Sequence, residues 1–150
     1  MNTLSKNSVI LMAEDDADDR LLAQDALAEC ALATDLRFVD DGTDLLDYLF
    51  LRGKYSDPAN APRPQLILLD LNMPRMDGRE VLQKIKSEPA LRRIPVVVLT
   101  TSRADTDIAR IYELGANSFI SKPVRFEALV NVMKALRVYW FETVELPALK

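Results

Sequence analysis

The stretch "PQLILLDLNMPRMDG", residues 64–78, decides the fold. Leu66 to Leu69 is an unbroken apolar run that starts after Pro64 and ends on a carboxylate, Asp70. A run of this length bounded by proline predicts a strand buried on both faces. Burial explains the leucines but not the charge that the strand delivers to its carboxyl end. Asp70 therefore needs a use.

Outward from this strand, strand-like and helix-like segments alternate along the whole chain. Apolar or β-branched runs at 9–13, 36–39, 65–70, 95–100 and 118–121 predict five strands. Helical patterns cover about 17–33, 43–51, 79–87, 104–114 and 126–140, and Gly115 is a natural stop for the fourth. Five such units imply an α/β fold, a parallel sheet with helices on both faces. One loop is long, "RGKYSDPANAPRP" at 52–64, and its proline and polar residues predict a surface insertion. The expected organisation is one domain over 1–141 and a C-terminal tail over 142–150 that contacts a partner.

Composition narrows the chemistry. The 150 residues are 49% hydrophobic and 28% charged, ordinary for one globular domain. No histidine is present, which excludes Ser-His-Asp and Cys-His catalysis and His-ligated zinc. The single cysteine, Cys30, excludes an internal disulfide, and its Ala/Leu-rich surroundings predict a small core side chain. A net charge of −4 without a basic stripe disfavours direct nucleic-acid binding. No apolar stretch approaches the ~20 residues of a membrane span. Residues 1–8 lack a signal-peptide core, so a cytoplasmic location away from any membrane is expected.

In open α/β sheets the ligand site lies outside the carboxyl ends of the strands, where strand order reverses. The predicted strands carry Glu14-Asp15, Asp70, Thr100-Thr101-Ser102 and Ser121-Lys122-Pro123 to that rim. At an effective dielectric of about 20, two carboxylates ~4 Å apart repel by about 4 kcal/mol. Three such pairs cost on the order of 10 kcal/mol, comparable with the stability of a whole domain. A hard divalent cation removes that cost, and Mg2+ suits carboxylate and carbonyl oxygens. A carboxylate beside Mg2+, faced by a lysine and a hydroxyl, is an acceptor for a phosphoryl group.

The set Glu14-Asp15, Asp70 with "MPRMDG", Thr100 and Lys122-Pro123 resembles the receiver domain of two-component response regulators, over nearly the whole chain. The resemblance implies a five-stranded sheet of order 2-1-3-4-5, the flavodoxin-like receiver fold. It implies that Asp70 is the phospho-acceptor, and that Glu14, Asp15, Asp70 and the backbone carbonyl of Asn72 hold Mg2+. Thr100 and Phe119 would be the switch pair, Lys122 the lysine that contacts the phosphate, and the bond before Pro123 cis. Two departures stand out. Phe119 occupies a place where many receivers have tyrosine, and Thr101 is bulkier than its usual counterpart. The 52–64 insertion, "LDLNMPRMDGREVL" and the tail "YWFETVELP" resemble the small response regulators paired with bacterial and cyanobacterial phytochromes. The implied function is a stand-alone signalling switch that takes phosphoryl from a sensor histidine kinase. It is not a metabolic enzyme, although it catalyses its own phosphorylation and hydrolysis.

Simpler readings hold for several acids. In "EDDADD", Asp16 caps the first helix, and Asp18 and Asp19 meet its positive dipole end. Asp40-Asp41-Gly42 and Asp77-Gly78 are turns that start helices, with Gly78 expected at positive φ. The last helix is apolar around more than the usual arc. The simpler reading is a helix and tail folded back on their own core. The reading adopted is a homodimer through the region of the last strand, Phe126, Leu129, Val132, Leu136 and Tyr139, continued by Trp140, Phe141, Val144 and Leu146.

Three rival functions are weaker. A haloacid-dehalogenase-type phosphatase has an acid/base aspartate two residues after its nucleophile, and Asn72 stands there instead. A nucleotide-binding flavodoxin-like protein needs a glycine-rich phosphate loop, and no G-x-G is present. A receiver that had lost phosphorylation would have no reason to keep Asp70 and Lys122 together.

Overall fold

A computed structural model describes residues 8–29, 34–71, 76–100, 105–121, 125–136 and 138–139. The strands are β1 (Ser8–Ala13), β2 (Thr34–Val39), β3 (Leu66–Asp70), β4 (Val96–Thr100) and β5 (Ser118–Ser121). They alternate with α1 (Ala17–Glu29), α2 (Gly42–Phe50), α3 (Gly78–Ser87), α4 (Asp105–Glu113) and α5 (Phe126–Leu136). All pairings are parallel and the order is β2-β1-β3-β4-β5. The expected order and class are those observed. Strand β2 begins two residues earlier than its apolar run predicts. Helix α5 is described as α-helix to Leu136, and Val138 and Tyr139 lie in a π-helical turn, while Trp140 lies outside the described residues. Cys30 lies outside the described residues.

Alternation along the strands divides the core in two, because successive side chains point to opposite faces. Leu11, Ile67, Leu69, Val96 and Val98 join Leu45, Val81, Leu82, Ile85 and Ile111 under α2, α3 and α4. Ile10, Met12, Leu66, Leu68, Val97 and Leu99 face the other way, against Ala23, Ala26 and Leu27 of α1 and Met133 and Leu136 of α5. Strand β3 is buried along its whole length, Asp70 included. Burying a leucine of this kind contributes about 1.5–3 kcal/mol, so the run at 66–69 anchors both layers.

Helix α5 packs on α1 as well as on the sheet. These two contacts explain why its apolar arc is wide. Phe126, Leu129, Val130 and Val132 are half-buried against the α1-side core. Leu136, expected on a dimer face, is only 7% exposed and belongs to the core, so it offers no surface to a second chain. Val138 and Tyr139 are about half exposed, at 47% and 52%.

The 52–64 insertion is more than a surface excursion. It forms two short 3-10 turns, Gly53–Tyr55 and Pro58–Asn60. The Tyr48 hydroxyl of α2 donates to the Pro62 carbonyl at 2.6 Å, and Arg37 of β2 donates to the Asn60 carbonyl at 3.2 Å. Arg63 donates to the Ala90 carbonyl in the turn before β4. Ala61 is buried beneath these contacts.

Candidate functional site

Strand order reverses between β1 and β3, so their carboxyl ends flank the crevice where such folds bind ligands. In the register Ala13 lies beside Leu69, which places Glu14 and Asp70, the next residue of each strand, side by side. Both are buried, at 1% and 7% exposure, whereas Asp15 faces solvent.

Other acids on this edge cap helices. Asp16 Oδ1 accepts from the Asp18 and Asp19 N–H groups at 2.8 and 3.3 Å. Asp41 accepts from the Asp44 N–H at 2.8 Å, and Asp77 from the Arg79 N–H at 2.7 Å. Each of these aspartates satisfies an orphan amide of a first turn. Glu14, Asp15 and Asp70 are left as the candidate set.

The three candidates share an edge but do not converge on one point. Among the described residues, no three acidic, cysteine or histidine side chains come together closely enough to hold an ion. Glu14 Oε2 turns back to accept the Asp16 N–H at 3.2 Å, and Asp15 points to water. Even so, the donor set fits a hard divalent cation: two buried carboxylates on neighbouring strand ends, with a third one residue away on the solvent side.

The switch residues are placed in part. Thr100 ends β4 and pairs in register with Ser121 of β5, while Asp70 pairs with Leu99. The rim therefore runs from Asp70 to Thr100 to the end of β5 without a gap. Phe119 is half-buried and packs on the core under α2, α3 and α4. Its N–H, on the outer edge of the sheet, donates to the Tyr112 hydroxyl of α4 at 3.2 Å. Asn72, Thr101, Lys122 and Pro123 lie outside the described residues, as do Trp140, Phe141, Val144 and Leu146.

Gly78 corrects one expectation, since its φ is not positive. A Cβ there would stand 2.8 Å from Leu71 Cα and 3.1 Å from the Asp70 carbonyl oxygen. Glycine is required because α3 starts against the backbone of the residue that carries the candidate carboxylate. The Gly78 N–H donates to the Leu71 carbonyl at 3.3 Å and closes that approach.

Residues 10–134 match the family model of the response regulator receiver domain. The chain belongs to the response regulator receiver family. Among its relatives, response regulator Rcp1 of Synechocystis sp. is 44% identical over 140 residues, 93% of each chain. The solved Mn2+-bound form of Rcp1 superposes with a TM-score of 0.85, covering 94% of this chain and 99% of that one. The phosphorylated cyanobacterial phytochrome response regulator RcpA matches at 44% identity and a TM-score of 0.86, covering 95% and 99%. Response regulator RPA3017, of red light signalling in R. palustris, matches at 36% identity and a TM-score of 0.90, with the same coverage. This receiver is thus a signalling protein of a family that binds divalent metal. No helix among its described residues is long and apolar enough to cross a membrane.

Sequence reasoning passed over one residue on this rim. Arg20 donates through Nε to the Glu14 carbonyl and through Nη2 to Asp40, both at 2.6 Å. The available signal was a lone cation immediately after the run "EDDADD".

Proposed function

We propose that this receiver is a stand-alone phosphorylation switch in which Asp70 accepts a phosphoryl group from the phosphohistidine of a sensor histidine kinase. The observation that carries the reading is a buried carboxylate at the end of the central strand, beside buried Glu14, at the switch point of a receiver fold. An Asp70 oxygen attacks phosphorus, the P–N bond to the histidine breaks, and the imidazole leaves with the bonding pair. Later attack by water on the aspartyl phosphate returns the carboxylate and inorganic phosphate. Glu14, Asp15, Asp70 and the Asn72 carbonyl are the residues that would hold Mg2+. The chemistry it supplies there is neutralisation of charge on the phosphoryl oxygens. Lys122 pairs with the phosphoryl group, the Thr100 hydroxyl follows it, and Phe119 swings into the space that opens.

Two relatives named for phytochrome or red-light signalling, RcpA and RPA3017, support a phytochrome-type kinase as the partner. The switch works in the cytoplasm, a reading supported by the absence, among the described residues, of any helix long and apolar enough to cross a membrane. The output is a changed surface over 1–141 and altered homodimer contacts through α5 and the 142–150 tail, without nucleic acid or membrane.

Incubation with a small phosphodonor and Mg2+ should add one phosphate by intact-mass measurement. EDTA should abolish the addition, and Asp70→Asn should remain unlabelled. Full labelling of Asp70→Asn at another residue would overturn the assignment.

A further inference from the structure

We infer that Arg20 is a positioning residue of the acidic pair: by holding the Glu14 carbonyl it fixes the peptide from which Asp15 reaches towards a cation. The inference rests on the function proposed above. The Glu14 N–H closes the β1–β2 ladder on the Val39 carbonyl at 3.1 Å. Its own carbonyl turns towards α1 instead and accepts from Arg20 Nε at 2.6 Å. That oxygen, the Asp15 nitrogen and Asp15 Cα lie in one plane. Fixing the oxygen therefore fixes the direction in which Asp15 leaves the strand.

The guanidinium is itself held on several sides. Nη2 donates to Asp40 Oδ1 at 2.6 Å, and the plane lies over the Phe38 ring, 5.2 Å from its centroid. The Arg20 N–H donates to the Asp16 carbonyl at 3.0 Å. Asp40 is steadied by its own N–H, which donates to Asp44 Oδ2 at 2.9 Å. One planar fork thus ties together the end of β1, the turn after β2 and the first turn of α1. Arginine suits the task because its Nε and Nη2 donors are rigidly related, whereas lysine has one nitrogen on a flexible stem. With the Asp40 side chain 60% exposed, the ion pair adds little to stability. What it fixes is direction.

Charge and position predict opposite results. Removing a positive charge beside two carboxylates should strengthen cation binding if Arg20 acts only through its field. If Arg20 positions the pair, binding should weaken on the scale of other supporting partners of metal ligands, roughly tenfold or more.

The experiment is a Mg2+ titration of the full chain, followed by calorimetry, for wild type, Arg20→Gln, Arg20→Lys and Arg52→Ala. Arg52 is an arginine of the insertion paired with Asp47, so its variant controls for net charge. Arg20→Gln with an unchanged circular dichroism spectrum should bind Mg2+ roughly tenfold more weakly. Arg52→Ala should match wild type. Should Arg20→Gln fail to fold, Arg20→Lys carries the test, since it keeps the charge but loses the fork; it too should bind more weakly. Wild-type or tighter binding by a folded Arg20 variant overturns the positioning role and leaves the proposed function standing. A wild type that binds no Mg2+ overturns both.

Discussion

At the scale of single residues, the site is built on a close backbone approach. Gly78 lets α3 begin against Leu71 and Asp70 where a methyl group has no room. The nearest obstructing atom, Leu71 Cα at 2.8 Å, is main chain, so the strand or the helix must shift whatever the Leu71 side chain does. Gly78→Ala should therefore destabilise the domain by about 1–3 kcal/mol, in the range of overpacked sites. Urea denaturation checks the magnitude, and phosphodonor labelling of Asp70 should slow in parallel. An alanine variant with wild-type stability and labelling would show that the backbone yields freely here. Asp16, Asp41 and Asp77 illustrate the other half of the residue scale. Acids on the same rim serve as caps because a side-chain oxygen two or three residues before an orphan amide is satisfied locally.

At the scale of elements, α2 and the insertion behave as one unit. The buried Tyr48 hydroxyl donates to the Pro62 carbonyl, and burial pushes its pKa up from 10.0 to about 12. Tyr55 packs against it, ring centroids 5.1 Å apart, and is also raised, by burial and then by its hydrogen bond to Asp44. A folded-state pKa above the unfolded value means that the unfolded chain releases its proton first. The Tyr48 contribution is fully present below pH 10 and is lost as pH rises through about 12. Tyr48→Phe should cost about 1 kcal/mol near neutrality, the scale of one hydrogen bond. The variant should also lose stability less steeply than wild type above pH 10. Denaturant titrations at pH 7, 10 and 11 decide it; parallel pH profiles would mean that Tyr48 does not titrate with unfolding. Lys86 acts in the opposite sense, because burial lowers its pKa. It donates to the Arg92 and Ile94 carbonyls. Its contribution rises with pH as the lowered folded value is passed, up to the unfolded value of 10.5.

At the scale of the whole molecule, α5 decides how much apolar surface the receiver can offer to a second copy. Most of the α5 apolar arc is spent inside the chain, on α1 and the sheet. What remains outward is half-buried Phe126, Leu129 and Val132, with exposed Tyr139 beyond them. Together with the apolar residues that follow in sequence, this is the surface proposed for a symmetric homodimer. Sedimentation velocity at micromolar concentration should show a dimer, and Tyr139→Arg should shift it towards monomer. Wild type running as a monomer with and without phosphodonor would reduce this face to core and tail.

The sequence alone determined the class of fold, the central strand ending on Asp70 and the Asp16 cap, because periodicity and helix signals act over a few neighbouring residues. It also brought Glu14 and Asp70 to one rim, since parallel βα units place every strand end on the same edge. Only the tertiary structure decided that Asp15 points to water while Glu14 folds back on the Asp16 amide. It also decided that Gly78 is needed for space and not for φ, and that Leu136 belongs to the core. The Arg20 fork was likewise invisible in sequence. Each of these depends on contacts between elements distant along the chain, or on which way one peptide plane turns, and neither leaves a local pattern of residue types.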